Sequence, residues 1–198
     1  MNTPPPLVLA TQSIARAHLM RAAGYVFEQI PSGADEPPIE TGESPQQYVI
    51  RLATLKARAV AAHKPDAVIL AADTVSFLDG HILGKPRDLE AAVRMLQHEA
   101  GRTHDLCTGI CVMAPHGQGE WTEADTVKVT MRAWTETQIR RHVAMAEPLK
   151  YAGAYALQEE GCVMVERIEG DPNTVIGLPM TAVERCLAAC GIVTSYTL

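Results

Sequence analysis

The sequence predicts an α/β fold with a mixed central sheet and flanking helices. Strand-like and helix-like segments alternate along the chain instead of collecting in separate halves, which is the pattern of an α/β domain. The nearly uninterrupted apolar run 67–72 is too short for an independent helix and is typical of a strand buried on both faces. Between two short apolar segments, Asp79-Gly80 supplies the positive φ values of a two-residue turn and predicts an antiparallel hairpin over 75–83.

Capping residues mark the helices of the first part of the chain. After a short strand at 7–10, Ser13 can cap a helix that ends at Gly24. A second strand is predicted at 25–30. Segment 31–43 contains three prolines, two glycines and four acids, which predicts an exposed loop that could separate two lobes. A capping box at 44–47, with proline at the first helical position, then predicts an Ala-rich helix to His63.

The second part of the chain continues the alternation. A helix is predicted from Asp88 to Ala100 with Gly101 behind it, and strands 103–114 and 120–133 flank a turn. Thr135 with Gln138 predicts another capped helix that ends before Pro148. A strand at 162–168 and a helix at 179–189 complete the pattern. Since no repeat or linker interrupts the sequence, we expect a single domain over residues 1–198.

Charge and cysteine content restrict the class of partner. The chain has 17 basic and 23 acidic residues, for a net charge of −6, so it lacks the basic excess that drives unspecific binding to nucleic acid or membranes. Its five cysteines are an odd number without C-x-x-C spacing, which favours reduced, packed thiols. The first residues carry no positively charged leader pattern. We therefore expect a cytoplasmic protein without nucleic-acid or membrane partners.

General catalytic motifs do not match. The segment 80–86 is one residue too short for a phosphate loop of the Walker type, and the serine-hydrolase, zincin and Rossmann patterns are missing from the sequence. Asp73 follows the apolar run 67–72, and ligand sites in α/β folds collect where strands end. By position alone, a catalytic carboxylate and a simple strand-end cap are equally favoured, and Lys56 and Lys85 look like solvated surface lysines.

The order of short sequence blocks is more specific than any one motif. The blocks are Leu9-Ala10-Thr11-Gln12-Ser13 with Arg16, Pro31-Ser32 with Asp35-Glu36, Ala72-Asp73-Thr74-Val75, Ile82-Leu83-Gly84-Lys85-Pro86, Gly101-Arg102-Thr103-His104, Thr108-Gly109, Ala152-Gly153-Ala154-Tyr155, Val165-Glu166-Arg167-Ile168-Glu169-Gly170 and Gly177-Leu178-Pro179. In this order they resemble the Maf family of nucleotide pyrophosphatases, from about Leu7 to about Gly191.

The resemblance implies a fold, a reaction and a set of site residues. It implies hydrolysis of a nucleoside triphosphate to the monophosphate and pyrophosphate with Mg²⁺ or Mn²⁺, in a cleft between two lobes similar to inosine triphosphatase, and allows a homodimer. The implied roles are Asp73 as the catalytic acidic residue, Glu36 and Asp73 at the metal, Ser13, Arg16, Lys56 and Lys85 at the substrate, and Thr74 and Gln158 at the base.

The chain departs from the family pattern at the first block. Ala15 stands where the family commonly has an arginine, so one cation is missing, and Glu159-Glu160 adds acidic charge. The resemblance also implies a specificity role for position 15, because the branch that acts on 7-methylguanosine triphosphate has an aromatic residue there that can stack on the base, whereas Ala15 cannot. Thr74 and Gln158 fit the branch that prefers dTTP and UTP, whereas the loop 170–173 resembles the branch that acts on 7-methylguanosine triphosphate. We expect a pyrimidine substrate. The alternatives are the methylated guanosine nucleotide and a weakly active nucleotide-binding regulator of cell division.

Overall fold

A computed structural model describes residues 4–155 and 163–194, which form two compact units. The described residues of the first unit are 4–73, 108–125 and 177–194, and those of the second are 74–107, 126–155 and 163–176. The chain passes between the units at 73–74, 107–108, 125–126 and 176–177. The prediction that loop 31–43 separates two lobes was wrong, because the whole loop belongs to the first unit.

Seven strands and six α-helices are assigned within the described residues. The strands are β1 (Leu7–Ala10), β2 (Glu28–Ile30), β3 (Val68–Leu78), β4 (His81–Leu83), β5 (Thr103–Met113), β6 (Glu120–Met131) and β7 (Val165–Glu169). The helices are α1 (Ile14–Ala22), α2 (Pro45–Ala61), α3 (Leu89–Glu99), α4 (Glu136–Met145), α5 (Pro172–Ile176) and α6 (Met180–Ala189).

The strands form one mixed sheet, as the sequence predicts. Their order is β2-β1-β3-β5-β6-β7, and β4 pairs with β3. Strand β1 is parallel to both β2 and β3, which agrees with helical crossovers through α1 and α2. The β3–β4 and β6–β7 pairs are antiparallel.

Local sequence signals set most element boundaries. The side chains of Ser13, Ser44, Asp88 and Thr135 each accept a hydrogen bond from a backbone amide in the first turn of the following helix. The predicted hairpin between β3 and β4 is confirmed, with both turn residues at positive φ (53° at Asp79 and 80° at Gly80).

Four features differ from the prediction. Strand β2 has only three residues, and β7 begins at Val165, while the predicted start at Cys162 lies outside the described residues. Helix α5 was not predicted; it follows Asp171, whose side chain accepts from the amide of Asn173. Asp73 does not end a strand, because β3 continues through it to Leu78.

Alternation along β3 divides the core of the first unit between its two faces. Val68, Leu70 and Ala72 pack in the cluster that contains residues of α1 and α6. Ile69 and Ala71 pack against α2 in a second cluster. Since successive side chains point to opposite faces of a strand, Asp73 belongs to the face that packs on α2.

Two further expectations concern cysteines and membranes. Cys107, Cys111 and Cys186 are buried and Cys190 is half-buried, as predicted for packed thiols; Cys162 lies outside the described residues. Across residues 4–155 and 163–194, the helices are all too short or too polar to cross a membrane.

Candidate functional site

The centre of the site is an ion pair between β3 and α2. Lys56 Nζ lies 2.5 Å from Asp73 Oδ1, and the two side chains are only 11% and 10% exposed. Lys56 shares the buried face of α2 with Ala53 and Ala57, which pack on Ile69 and Ala71 of β3. These small alanines let the helix lie close to the strand, so the lysine stem is buried while its ammonium reaches Asp73.

Glu36 brings a second carboxylate to the same ammonium. Its Oε1 lies 2.7 Å from Lys56 Nζ, although the Glu36 side chain is 51% exposed. The residue lies in the 31–43 loop, which contains no helix or strand. Lys56 therefore joins a carboxylate of the sheet to a carboxylate of the loop.

Arg16 adds a second cation next to these groups. Its Nε donates to the carbonyl of Gly177 at 2.9 Å, and its Nη1 donates to the carbonyl of Ala72 at 2.9 Å. Burial lowers the pKa of Arg16, and the charges of Asp73 and Glu36 oppose this shift. An arginine remains protonated under such conditions. The structure therefore brings Arg16, Glu36, Lys56 and Asp73 together within the first unit.

The start of α1 places two more predicted residues close in sequence to Arg16. The Ser13 hydroxyl accepts a hydrogen bond from the Arg16 amide at 3.2 Å, and a hydroxyl that accepts at a cap can still donate its own hydrogen. Ala15 is half-buried in the first turn of α1. The substrate contact predicted for Ser13 and the specificity role predicted for Ala15 stay predictions.

The remaining predicted residues belong to the second unit or are not described. Lys85 is exposed and follows β4, and Thr74 is half-buried within β3. Gln158 and the acidic pair Glu159-Glu160 lie outside the described residues. The roles of Lys85, Thr74 and Gln158 stay predictions.

The sequence-based prediction missed two residues that hold the loop carrying Glu36. The Tyr48 hydroxyl donates to the carbonyl of Pro37 at 3.1 Å, and Arg51 Nη2 donates to the carbonyl of Pro38 at 3.0 Å. The positions of Tyr48 and Arg51, three residues apart on a helix that follows an acidic loop, only weakly indicate a contact with that loop, because arginines and tyrosines are common at protein surfaces.

The carboxylates of Asp73 and Glu36 fit a small divalent cation. Both bind the same ammonium and are therefore close to each other. Magnesium is commonly held by one or two carboxylates together with substrate phosphates, so two oxygens from the protein are sufficient. No group of three or more His, Cys, Asp or Glu side chains suited to a metal occurs within the described parts of the chain.

Comparison with known proteins identifies the family. The family described as Maf-like protein matches residues 6–190. The chain belongs to the Maf family. The assignment made from nine sequence blocks is thus confirmed.

Curated Maf relatives match over nearly their whole length. A protein of Moorella thermoacetica named dTTP/UTP pyrophosphatase is 45% identical over 94% of this chain and 95% of its own. Proteins with the same name from Deinococcus radiodurans and Akkermansia muciniphila are 39% and 38% identical, over 96% and 94% of this chain and 96% and 97% of their own lengths.

Proposed function

We propose that this Maf protein hydrolyses dTTP and UTP to the nucleoside monophosphate and pyrophosphate. Three relatives that cover nearly the whole chain carry the name dTTP/UTP pyrophosphatase. The observation that carries the proposal is the buried Lys56–Asp73 pair with Glu36 and Arg16 next to it. These are the acidic and basic groups that cleavage of a phosphoanhydride needs at one place.

The charges of the site match a triphosphate that arrives with a cation. Arg16 and Lys56 are balanced by Asp73 and Glu36, whereas a triphosphate brings about four negative charges. A bound Mg²⁺ or Mn²⁺ would be held by Asp73 and Glu36 and would neutralise phosphate charge. The donor types suit this ion, and no other cofactor is needed for hydrolysis.

The reaction requires a water molecule directed at the α-phosphorus. The water oxygen forms a bond to phosphorus, the bond from the α-phosphorus to the bridging oxygen breaks, and pyrophosphate leaves with the bond electrons. The Asp73 carboxylate orients the water and accepts its proton. Lys56 fixes the Asp73 oxygen, and Arg16 offsets charge on the phosphates, which is most valuable in the transition state.

Other parts of the proposal rest on the family resemblance. Ser13 and Lys85 bind phosphate, and Thr74 and Gln158 select the base. The fold is a single domain of the inosine triphosphatase type with two lobes around a cleft. The protein works in the cytoplasm, forms a homodimer, and needs no nucleic acid or membrane.

Pyrophosphate release from a panel of triphosphates tests the function. With Mg²⁺ or Mn²⁺, we expect dTTP and UTP to be hydrolysed to the monophosphate faster than dATP, dGTP or 7-methylguanosine triphosphate. Asp73→Asn should lose at least about a hundredfold in kcat, as expected when a group that acts in proton transfer is removed. Asp66→Asn is the matched control, since the Asp66 side chain is exposed and its ion pair with His116 lies at the surface.

The outcomes separate the alternatives. Preferred hydrolysis of 7-methylguanosine triphosphate would favour the branch that loop 170–173 resembles. Tight binding of dTTP without turnover would favour a nucleotide-binding regulator. Equal activity of Asp73→Asn and the wild type would remove Asp73 from the mechanism.

A further inference from the structure

Two side chains of α2 bind the loop segment that carries Glu36. They bind the carbonyls of Pro37 and Pro38, the two residues that directly follow Glu36. Tyr48 donates its hydroxyl hydrogen to the carbonyl of Pro37 at 3.1 Å. Arg51 donates to the carbonyl of Pro38 at 3.0 Å. Consecutive carbonyls directly after Glu36 are thus fixed by side chains from one helix.

The guanidinium of Arg51 is itself held in a fixed plane. Its Nε and Nη2 bind both oxygens of Glu43 at 2.7 and 2.6 Å, and the Arg51 and Glu43 side chains are only 25% and 11% exposed. The guanidinium also lies 5.3 Å from the centre of the Tyr48 ring. A bidentate pair fixes direction as well as distance, so Arg51 can hold the Pro38 carbonyl in place.

Helix α2 also carries the cation that Glu36 binds. Tyr48, Arg51 and Lys56 all belong to this helix. One rigid helix therefore fixes Lys56 and the backbone next to its carboxylate partner. The loop has no helix or strand of its own that could fix Glu36.

We infer that Tyr48 and Arg51 are positioning residues that hold the Glu36 carboxylate at the catalytic site. This inference rests on the proposed function. Glu36 is half-exposed, so keeping its carboxylate on Lys56 costs side-chain and loop entropy. Because Tyr48 and Arg51 order the loop backbone when the protein folds, part of that entropy is already lost before substrate binds. Without them, Glu36 samples positions away from Lys56 and Asp73.

A double-substitution cycle tests whether Arg51 acts through Glu36. We expect Arg51→Ala to lower kcat/KM for dTTP about tenfold, mostly in kcat, as is typical when the support of a site group is lost. Arg51→Lys should keep part of the activity, because lysine can reach one acceptor but cannot bind Glu43 in bidentate fashion. In a Glu36→Gln background, Arg51→Ala should have less than a twofold effect.

Two variants guard against a purely structural explanation. Tyr48→Phe keeps the ring and removes only the hydroxyl, and it should lower kcat/KM about threefold with a fall in Tm of no more than about 4 °C. Arg58→Ala is the matched control on the same helix, because Arg58 is paired with Glu120 and not with the loop. It should keep wild-type kinetics.

Hydrogen exchange provides a readout that does not depend on turnover. The Glu40 amide donates to Glu43, and the Glu43 amide donates to the carbonyl of Glu40. Both amides should exchange faster in Arg51→Ala than in the wild type or in Arg58→Ala.

The results separate this inference from the proposed function. If the wild type hydrolyses no triphosphate, the proposed function is wrong and the positioning role falls with it. If the wild type is active, equal kinetics of Arg51→Ala and Arg58→Ala would overturn the positioning role alone. An undiminished effect of Arg51→Ala in the Glu36→Gln background would also overturn it.

Discussion

Replacing Glu99 by glutamine should remove a pH dependence from the stability of the protein. Glu99 ends α3, is fully buried, and accepts a hydrogen bond from the Ser76 hydroxyl at 3.4 Å. Its Oε2 and His104 Nδ1 are the buried side-chain polar atoms without a hydrogen-bond partner in the described part of the chain. Burial raises the pKa of Glu99 from 4.5 to about 8, so the folded protein holds this carboxyl in its neutral form at pH 7.

The direction of the pH dependence follows from the pH at which Glu99 loses its proton in each state. The unfolded chain loses the Glu99 proton near pH 4.5, whereas the folded protein loses it only near pH 8. Between these values ionisation favours the unfolded state, so the free energy of unfolding falls by about 1.4 kcal/mol per pH unit. The stabilisation is complete below pH 4.5 and is lost as the pH rises through about 8, for a total of about 3 kcal/mol between about pH 5 and 8.

Urea unfolding at several pH values measures this difference. Glu99→Gln keeps the shape of the side chain but cannot titrate, so the gap in stability between wild type and variant should change by about 3 kcal/mol from about pH 5 to 8. Burial lowers the pKa of His104 to about 4, but this group is present in both proteins and cancels in the comparison. Glu90→Gln on the exposed side of α3 should keep the wild-type slope. Parallel curves for wild type and Glu99→Gln would refute the reasoning.

Three further substitutions test packing and charge. Gly177→Ala should lower kcat/KM for dTTP, because a Cβ there would lie 2.8 Å from Arg16 Nε and φ is +116°; unchanged kinetics would contradict this. Gly109→Ala should lower the free energy of unfolding by about 1–3 kcal/mol, since its Cβ would lie 2.7 Å from the backbone of α2. Gly84→Ala is the control, because a Cβ at Gly84 would enter open space. Equal urea midpoints for the two variants would contradict this expectation. Ala15→Arg should lower KM for dTTP at low salt and less at high salt, and a salt-independent KM would count against added charge.

Much of the fold follows from local signals in the sequence. The caps at Ser44 and Thr135 and the turn at Asp79-Gly80 depend on neighbouring residues only, and all three are found as predicted. The predicted strand 67–72 was too short, because Thr74 and Val75 are as suitable for a strand as the apolar run before them, and β3 continues to Leu78. Sequence alone does not say how far the neighbouring strands continue to pair.

The candidate site was predictable in its charged residues but not in their supports. The family resemblance indicated Lys56 and Asp73, and alternation along β3 explains why Asp73 faces α2 and meets Lys56. The roles of Tyr48 and Arg51 depend on the path of the 31–43 loop, which composition does not determine.

The burial of Glu99 is indicated by its position in the sequence pattern of α3. It lies three positions after Leu96 and seven after Ala92, both buried, so helical spacing places it on the inner face of α3. A glutamate is ordinarily expected at the surface, and that expectation hides the pattern.

The short length of β1 determines which backbone carbonyl the Arg16 guanidinium can bind. Pairing between β1 and β3 ends at Leu9 and Leu70, so the Ala72 carbonyl lies past the end of that pairing and accepts from Arg16. An insertion that prolonged β1 by two residues would offer this carbonyl a main-chain amide and compete with the guanidinium. Indels in the connection after β1 would therefore act as electrostatic mutations, although they add or remove no charged side chain.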